Sequence, residues 1–298
     1  MTGDHRGSAA ARSRGRLAVV LSVTTAILLA EIVGALVSGS LALLADAGHM
    51  LTDATGIGLS LLAIWFAGRP ATSGRTFGYY RLEILAAVAN AVLLLGVGGF
   101  VLVEGVRRLL SPPDVGSGVM LVFGLVAMAG NGVSVWLLRR GQRESLNIRG
   151  AFLEVLSDLL GALAVVVSAV VIALTGFLRA DPLASILIGL LILPRTWRLL
   201  REAVDVLLEA TPRNVDLEEV RRHILEAPGV ADVHDLHAWT ITSGVNVVSA
   251  HVVLQPRAEP PAVLDHLCDC LAGDFDIEHS TFQLEPSDRR PLEEGSHR

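Results

Sequence analysis

Residues 41–66 read LALLADAGHMLTDATGIGLSLLAIWF. About 20 apolar residues suffice to span a bilayer, and this stretch is long enough, yet it carries Asp46, His49 and Asp53. His49 and Asp53 are four residues apart, so on a helix they share one face, one turn apart. An ionisable side chain at the bilayer centre costs roughly 2.5–3.5 kcal/mol on insertion scales. A chain carries that cost when such groups meet an ion, a proton or a partner. The spacing recurs in residues 149–161, RGAFLEVLSDLLG, where Glu154 and Asp158 again lie four apart in an apolar run. Two such pairs offer four nitrogen and oxygen donors, the number a tetrahedral divalent metal takes. Alone, His49 also reads as a hydrogen-bonded histidine between helices, the less favoured of the two readings; Asp53 and the second pair weaken it further.

The rest of the chain supplies the setting. It has 298 residues, 52% of them hydrophobic, and mean hydropathy is positive. Six apolar runs, at about 17–37, 41–66, 82–103, 116–138, 150–175 and 183–200, are transmembrane helix candidates. The expected organisation is a polar N-terminal tail over 1–16, a six-helix membrane domain over 17–202, a linker over 203–211, a soluble domain over 212–288 and a disordered tail over 289–298. The first run is long for a signal peptide and a second follows at once, so it reads as an uncleaved helix.

Arginine placement orients the spans, since cytoplasmic loops collect basic residues. There is no Lys. Fourteen Arg, among them Arg6, Arg69, Arg139 and Arg195, fall in the N-terminal tail, after the second and fourth runs and after the sixth; Arg107, Arg108 and Arg179 fall on the other side. Both termini are therefore expected in the cytoplasm of a cell membrane protein. Residues 203–298 hold 7 Arg against 18 acids. That acidity argues against nucleic acid as a partner and suits cations, or simply keeps the domain soluble.

The soluble part alternates between periods. A helix is expected at Asp216–Ala227, strands at Ala231–Ile241 and Val245–Leu254 about a turn at Thr242-Ser243-Gly244, a helix at Pro261–Ala272 and a strand at His279–Leu284. The order αββαβ is that of a small α+β domain with its helices on one sheet face. Seven of the nine His lie here. His279, Gln283 and Glu285 share one face by parity, and His251 sits on the second strand. A simple hairpin register puts His237 on the face of His251. His266 on the second helix is a further candidate. Cys268 and Cys270, two apart on a helix, make a poor chelate and no local disulfide, as expected in a reducing compartment.

Taken in order, ADAGHMLTD at 45–53, RGAFLEVLSDLLG at 149–161, DPLASI at 181–186, LLEATP at 207–212, VHDLHAWTITSG at 233–244, SAHVVL at 249–254 and HSTFQLEP at 279–286 resemble the cation diffusion facilitator family, in its zinc-exporter branch. The resemblance covers about residues 15–286. It implies a homodimer, not an enzyme, that exports divalent metal from the cytoplasm in exchange for protons. It implies a transport site of His49, Asp53, Glu154 and Asp158, and a ferredoxin-like, copper-chaperone-like cytoplasmic domain that binds metal and dimerises. Within that domain it points to His234 rather than His237 beside His251, His279 and Glu285; a β-bulge would reconcile the two. It also implies a charge pair between Arg81 and either Asp205 or Glu209.

Two departures from the family pattern stand out. Zinc-selective members carry His or Asp where this chain has Glu154, giving one nitrogen and three carboxylates. Imidazole suits zinc, while carboxylates shift preference towards harder ions. Zn2+ is the first expectation, with Co2+, Cd2+, Fe2+ and Mn2+ open. The loop of residues 68–78, GRPATSGRTFG, has no ligand, so an extra site some relatives hold there is expected to be missing.

Metal ligands must shed protons to bind, so one site can take metal on one side and protons on the other. His49, whose free imidazole titrates near about 6.5, is the natural proton carrier. Asp46, one turn before it, reads equally as a group orienting a ligand or as a helix contact. Glu31, Glu83, Asn90 and Asn131 are read as cross-helix partners or lining of a water path, and Gly56, Gly58, Gly96, Gly98 and Gly99 as close-packing positions. The competing readings are a metal sensor or metal-gated channel without proton coupling, a hydrolase lacking any nucleophile motif, and a drug antiporter that 5% aromatic content disfavours.

Overall fold

A computed structural model describes residues 5–139, 146–275, 277 and 279–286; the tail expected over 289–298 lies outside them. Six long helices come first: α1 (His5–Ser38), α2 (Leu41–Ala67), α3 (Leu82–Leu110), α4 (Ser117–Leu138), α5 (Leu146–Thr175) and α6 (Ala180–Leu207). Among the described residues, stretches of α1, α3, α4, α5 and α6 are long and apolar enough to cross a membrane, by length and composition. Helix α2, 27 residues long, is the one that carries Asp46, His49 and Asp53. Large apolar side chains such as Leu36, Phe100, Val103, Leu160 and Leu174 stand exposed on these helices. In water such a surface would aggregate; in lipid it is solvated.

Two helices run beyond the apolar stretches they contain. Helix α1 starts at His5, well inside the expected tail, because residues 9–14 (AAARSR) are mostly strong helix formers. Helix α6 runs from Ala180 to Leu207 rather than 183–200, through much of the expected linker. Arg195, Arg198 and Arg201 do not end it, since Arg is itself a good helix former.

The described residues fall into two compact units. One contains the chain up to Gly58 and from Ala89 to Leu199; the other contains Leu59 to Val88 and the chain from Leu200 on. In the first unit, Ala42, Leu43, Ala45, Val101, Met120, Val165, Ala169 and Ile188 form a buried core. Some helices approach through glycine: a Cβ on Gly56 would lie 2.6 Å from Asn90 Nδ2 and one on Gly98 2.7 Å from Leu193. Gly58, Gly96 and Gly99 have nothing within 4 Å of such a Cβ, which corrects their reading as packing positions.

The second unit holds α7 (Leu217–Glu226), β1 (Val230–Thr242), β2 (Val245–Leu254), α8 (Pro260–Phe275) and β3 (His279–Glu285). The strand order is β1-β2-β3, with β1 antiparallel and β3 parallel to β2. Asp216 caps α7 by accepting the N–H groups of Glu218 and Glu219. Val220 and Ile224 of α7 and Val263, Leu267 and Leu271 of α8 close over Val248, Ala250 and Val252 of β2. The opposite sheet face carries Ser249 and His251. In this unit, too, Glu83 accepts hydrogen bonds from Thr242 and from Ser243 at the β1–β2 turn, and Arg81 pairs with Glu209 at 2.7 Å. Asp205, the other candidate for Arg81, lies 3.9 Å from Arg213.

Candidate metal centre

His49 and Asp53 come from successive turns of α2, and Glu154 and Asp158 from successive turns of α5. His49 Nε2 lies 3.4 Å from Asp53 Oδ2 and 3.8 Å from Asp158 Oδ1. One donor atom each from His49, Asp53 and Glu154 lies within 4.8 Å of the others. Zinc ligands lie about 2.0–2.2 Å from the metal, and so about 3.3–3.6 Å from one another around a tetrahedron. The His49–Asp53 and His49–Asp158 separations are close to that spacing; Asp158 is not among the three residues whose donors all lie within 4.8 Å of one another. His49 and Asp158 are buried, and neither His49 Nδ1 nor Asp158 Oδ1 has a hydrogen-bond partner among the described residues. Unsatisfied buried polar atoms are costly; a divalent cation would satisfy the carboxylate oxygen.

Around this group, Asp46 is buried against α5: a Cβ on Gly161 would lie 2.7 Å from Asp46 Oδ1. Gly161 is three residues beyond Asp158, so Asp46 packs beside the site's own helix face. Glu31 and Asn131 are also fully buried. Sequence reasoning overlooked Arg195 of α6, whose Nη2 stands 3.6 Å from Glu154 Oε2. Its only signal was a charge two residues past Leu193 in a run otherwise read as membrane.

A second constellation lies on the sheet face opposite α7 and α8. Glu285, 1% exposed, is 3.3 Å from His234 Nε2 and 2.9 Å from His251 Nδ1. Gln283 Nε2 donates to Glu285 Oε1 at 2.6 Å, and the two imidazole rings are 5.1 Å apart. His234 pairs with His251 and His237 with Ser249, three steps on β1 against two on β2. That is a β-bulge, and Asp235 within it has φ 51°, the left-handed region that Asp tolerates better than most residues. Asp235, absent from the sequence reading, reaches His237 Nε2 at 3.0 Å and His251 Nε2 at 3.8 Å.

His279 is not brought to this cluster. It shares the face but sits opposite Val247, while Glu285 sits opposite Val253. Six residues of strand span about 20 Å, so parity alone did not make it a neighbour; its ring meets Phe77 edge-on at 5.4 Å. His266 is exposed on α8. Cys268 and Cys270 are free and half-buried. Burial, then the charge of Asp274, pushes the Cys270 thiol up, away from the thiolate that metals require.

The chain matches two family models: the cation efflux transmembrane domain over residues 17–208 and the cation efflux protein cytoplasmic domain over residues 212–287. The chain belongs to the cation efflux family. These are the cation diffusion facilitators, multi-pass membrane transporters rather than a class of enzymes. The chain is 46% identical to the metal cation efflux system protein CzcD of Cupriavidus metallidurans over 95% of its own length and 88% of the relative's. It is 41% identical to the zinc transporter ZitB of Escherichia coli, over 91% and 87%. It is 35% identical to a cadmium, cobalt and zinc/H(+)-K(+) antiporter of Bacillus velezensis, over 95% and 92%. A solved structure of the metal-bound C-terminal domain of the CzcD transporter is 47% identical, covering 24% of this chain and 99% of that one, with a TM-score of 0.23.

Proposed function

We propose that this cation efflux protein exports divalent metal, zinc first and with Co2+, Cd2+, Fe2+ or Mn2+ as further cargo, from the cytoplasm in exchange for protons. The observation that carries the reading is that His49 of α2 lies 3.4 Å from Asp53 and 3.8 Å from Asp158 of α5, while Glu154 of α5 offers a donor within 4.8 Å of donors of His49 and Asp53. Metal is the cargo of these four donors. Each must be deprotonated to bind it, so metal and protons compete for one site. Facing the cytoplasm the site loads metal; facing an acidic exterior it loads protons and lets metal go. The names of the relatives, a zinc transporter and a cadmium, cobalt and zinc antiporter, support the cargo class.

The membrane domain is taken as residues 17–202, with both termini cytoplasmic, and the domain over 212–288 as a dimerising one. His234, His251 and Glu285 there form a regulatory metal site, loaded when cytoplasmic metal rises. The test is metal uptake into inverted membrane vesicles with an acidic interior, comparing the natural chain with Asp158→Ala. Gradient-driven uptake that the substitution abolishes supports the antiporter. Uptake indifferent to the proton gradient favours a metal-gated channel, and uptake indifferent to Asp158 removes the site.

A further inference from the structure

We propose that Arg195 sets the net charge of the transport site, its guanidinium balancing the extra carboxylate that Glu154 contributes. This rests on the reading of His49, Asp53, Glu154 and Asp158 as that site. Arg195 Nη2 lies 3.6 Å from Glu154 Oε2, with side chains 58% and 38% exposed. A pair so open adds little to stability. Its position gives it a different role, because Glu154 also offers an oxygen within 4.8 Å of donor atoms of His49 and Asp53. Pro194 precedes Arg195 inside α6 and removes one hydrogen bond from that turn.

Charge counting gives the role. One imidazole and three carboxylates ready for metal carry three negative charges. A divalent cation leaves one over, and Arg195 brings the loaded site to zero. A site that must change sides within a low-dielectric membrane is least costly when neutral. With Arg195 absent, the loaded site keeps a net negative charge, holds its cation harder and gives it up more slowly. With His in place of Glu154, two carboxylates already neutralise the cation and Arg195 has nothing left to balance.

The test is a double-mutant cycle on the full-length protein in proteoliposomes, reading KM and kcat for zinc uptake. Arg195→Gln should lower KM about tenfold and lower kcat with it, the scale on which a neighbouring charge moves a carboxylate's hold on a cation. Arg195→Lys should restore both towards the natural values. In a Glu154→His background, Arg195→Gln should move KM by less than about threefold, since the partner that couples them is gone. An equal shift in both backgrounds, no shift in the natural one, or loss of uptake that Arg195→Lys does not rescue overturns the proposal. Asp158→Ala serves as the separate arm: if it transports normally, the transport site itself is wrong, whatever the Arg195 cycle gives.

Discussion

Asp181, in the first turn of α6, closes the N-terminus of α2 from outside: its Oδ2 accepts the backbone N–H of Leu41 at 2.8 Å. Oδ1 takes the hydroxyl of Ser40 at 2.5 Å and the N–H of Ala42 at 3.2 Å, and the carboxylate is fully buried. The first N–H groups of a helix have no partner within it and carry its positive end. Asp181 satisfies two of them from a helix about 140 residues away. Asp181→Ala should cost about 1–3 kcal/mol and lower metal uptake, because α2 carries His49 and Asp53. Thermal unfolding of the purified protein checks the first effect and vesicle uptake the second. Asp181→Asn should fall between.

Gly161 is the gap that lets Asp46 lie against α5. A methyl group at that position would stand 2.7 Å from Asp46 Oδ1, closer than contact allows. Gly161→Ala should destabilise the protein by about 1–3 kcal/mol, the usual cost of overpacking, and slow uptake. Adding Asp46→Ala to it should recover stability, as measured by thermal unfolding, if the clash is the cause.

Glu154→His changes a hard oxygen donor for an imidazole nitrogen. Zinc uptake should gain on manganese uptake by about tenfold in competition, following donor softness. An unchanged ratio would mean that Glu154 does not touch the cargo.

In the sheet unit, Glu285 holds both His234 and His251. Glu285→Gln and His251→Ala should each reduce the zinc-dependent rise in melting temperature attributable to this cluster, since bound metal stabilises the folded state by mass action. His279→Ala, its ring beside Phe77, should leave that rise in place. Retention of the full rise in Glu285→Gln would remove the regulatory site.

Much of this arrangement was legible because it follows local rules. The i, i+4 pairs at His49/Asp53 and Glu154/Asp158 are read directly from helical periodicity. The strand at Val245–Leu254 has the bounds that its alternation and its Gly244 turn predict. What escaped depends on distant partners. Nothing near Asp181 says that its carboxylate ends another helix. Arg195 read as one of the cytoplasmic charges that follow the sixth run, and nothing near it says that its partner is Glu154 of another helix. His279 satisfied the parity rule and failed on distance. His234 came from resemblance, because its register turns on where one unpaired residue falls.

The bulge at Asp235 has a consequence for how this domain can vary. A regular strand shows every second residue to one side, so neighbours such as His234 and Asp235 would point apart. Here both address His251, and His237 follows on Asp235. One unmatched letter thus lets a short word of sequence be read almost without skipping. Removing that letter would straighten the ladder and keep His234 facing His251, yet silence the acid between them. Donor number in this domain can therefore change by a single codon while the fold that displays the donors stays the same.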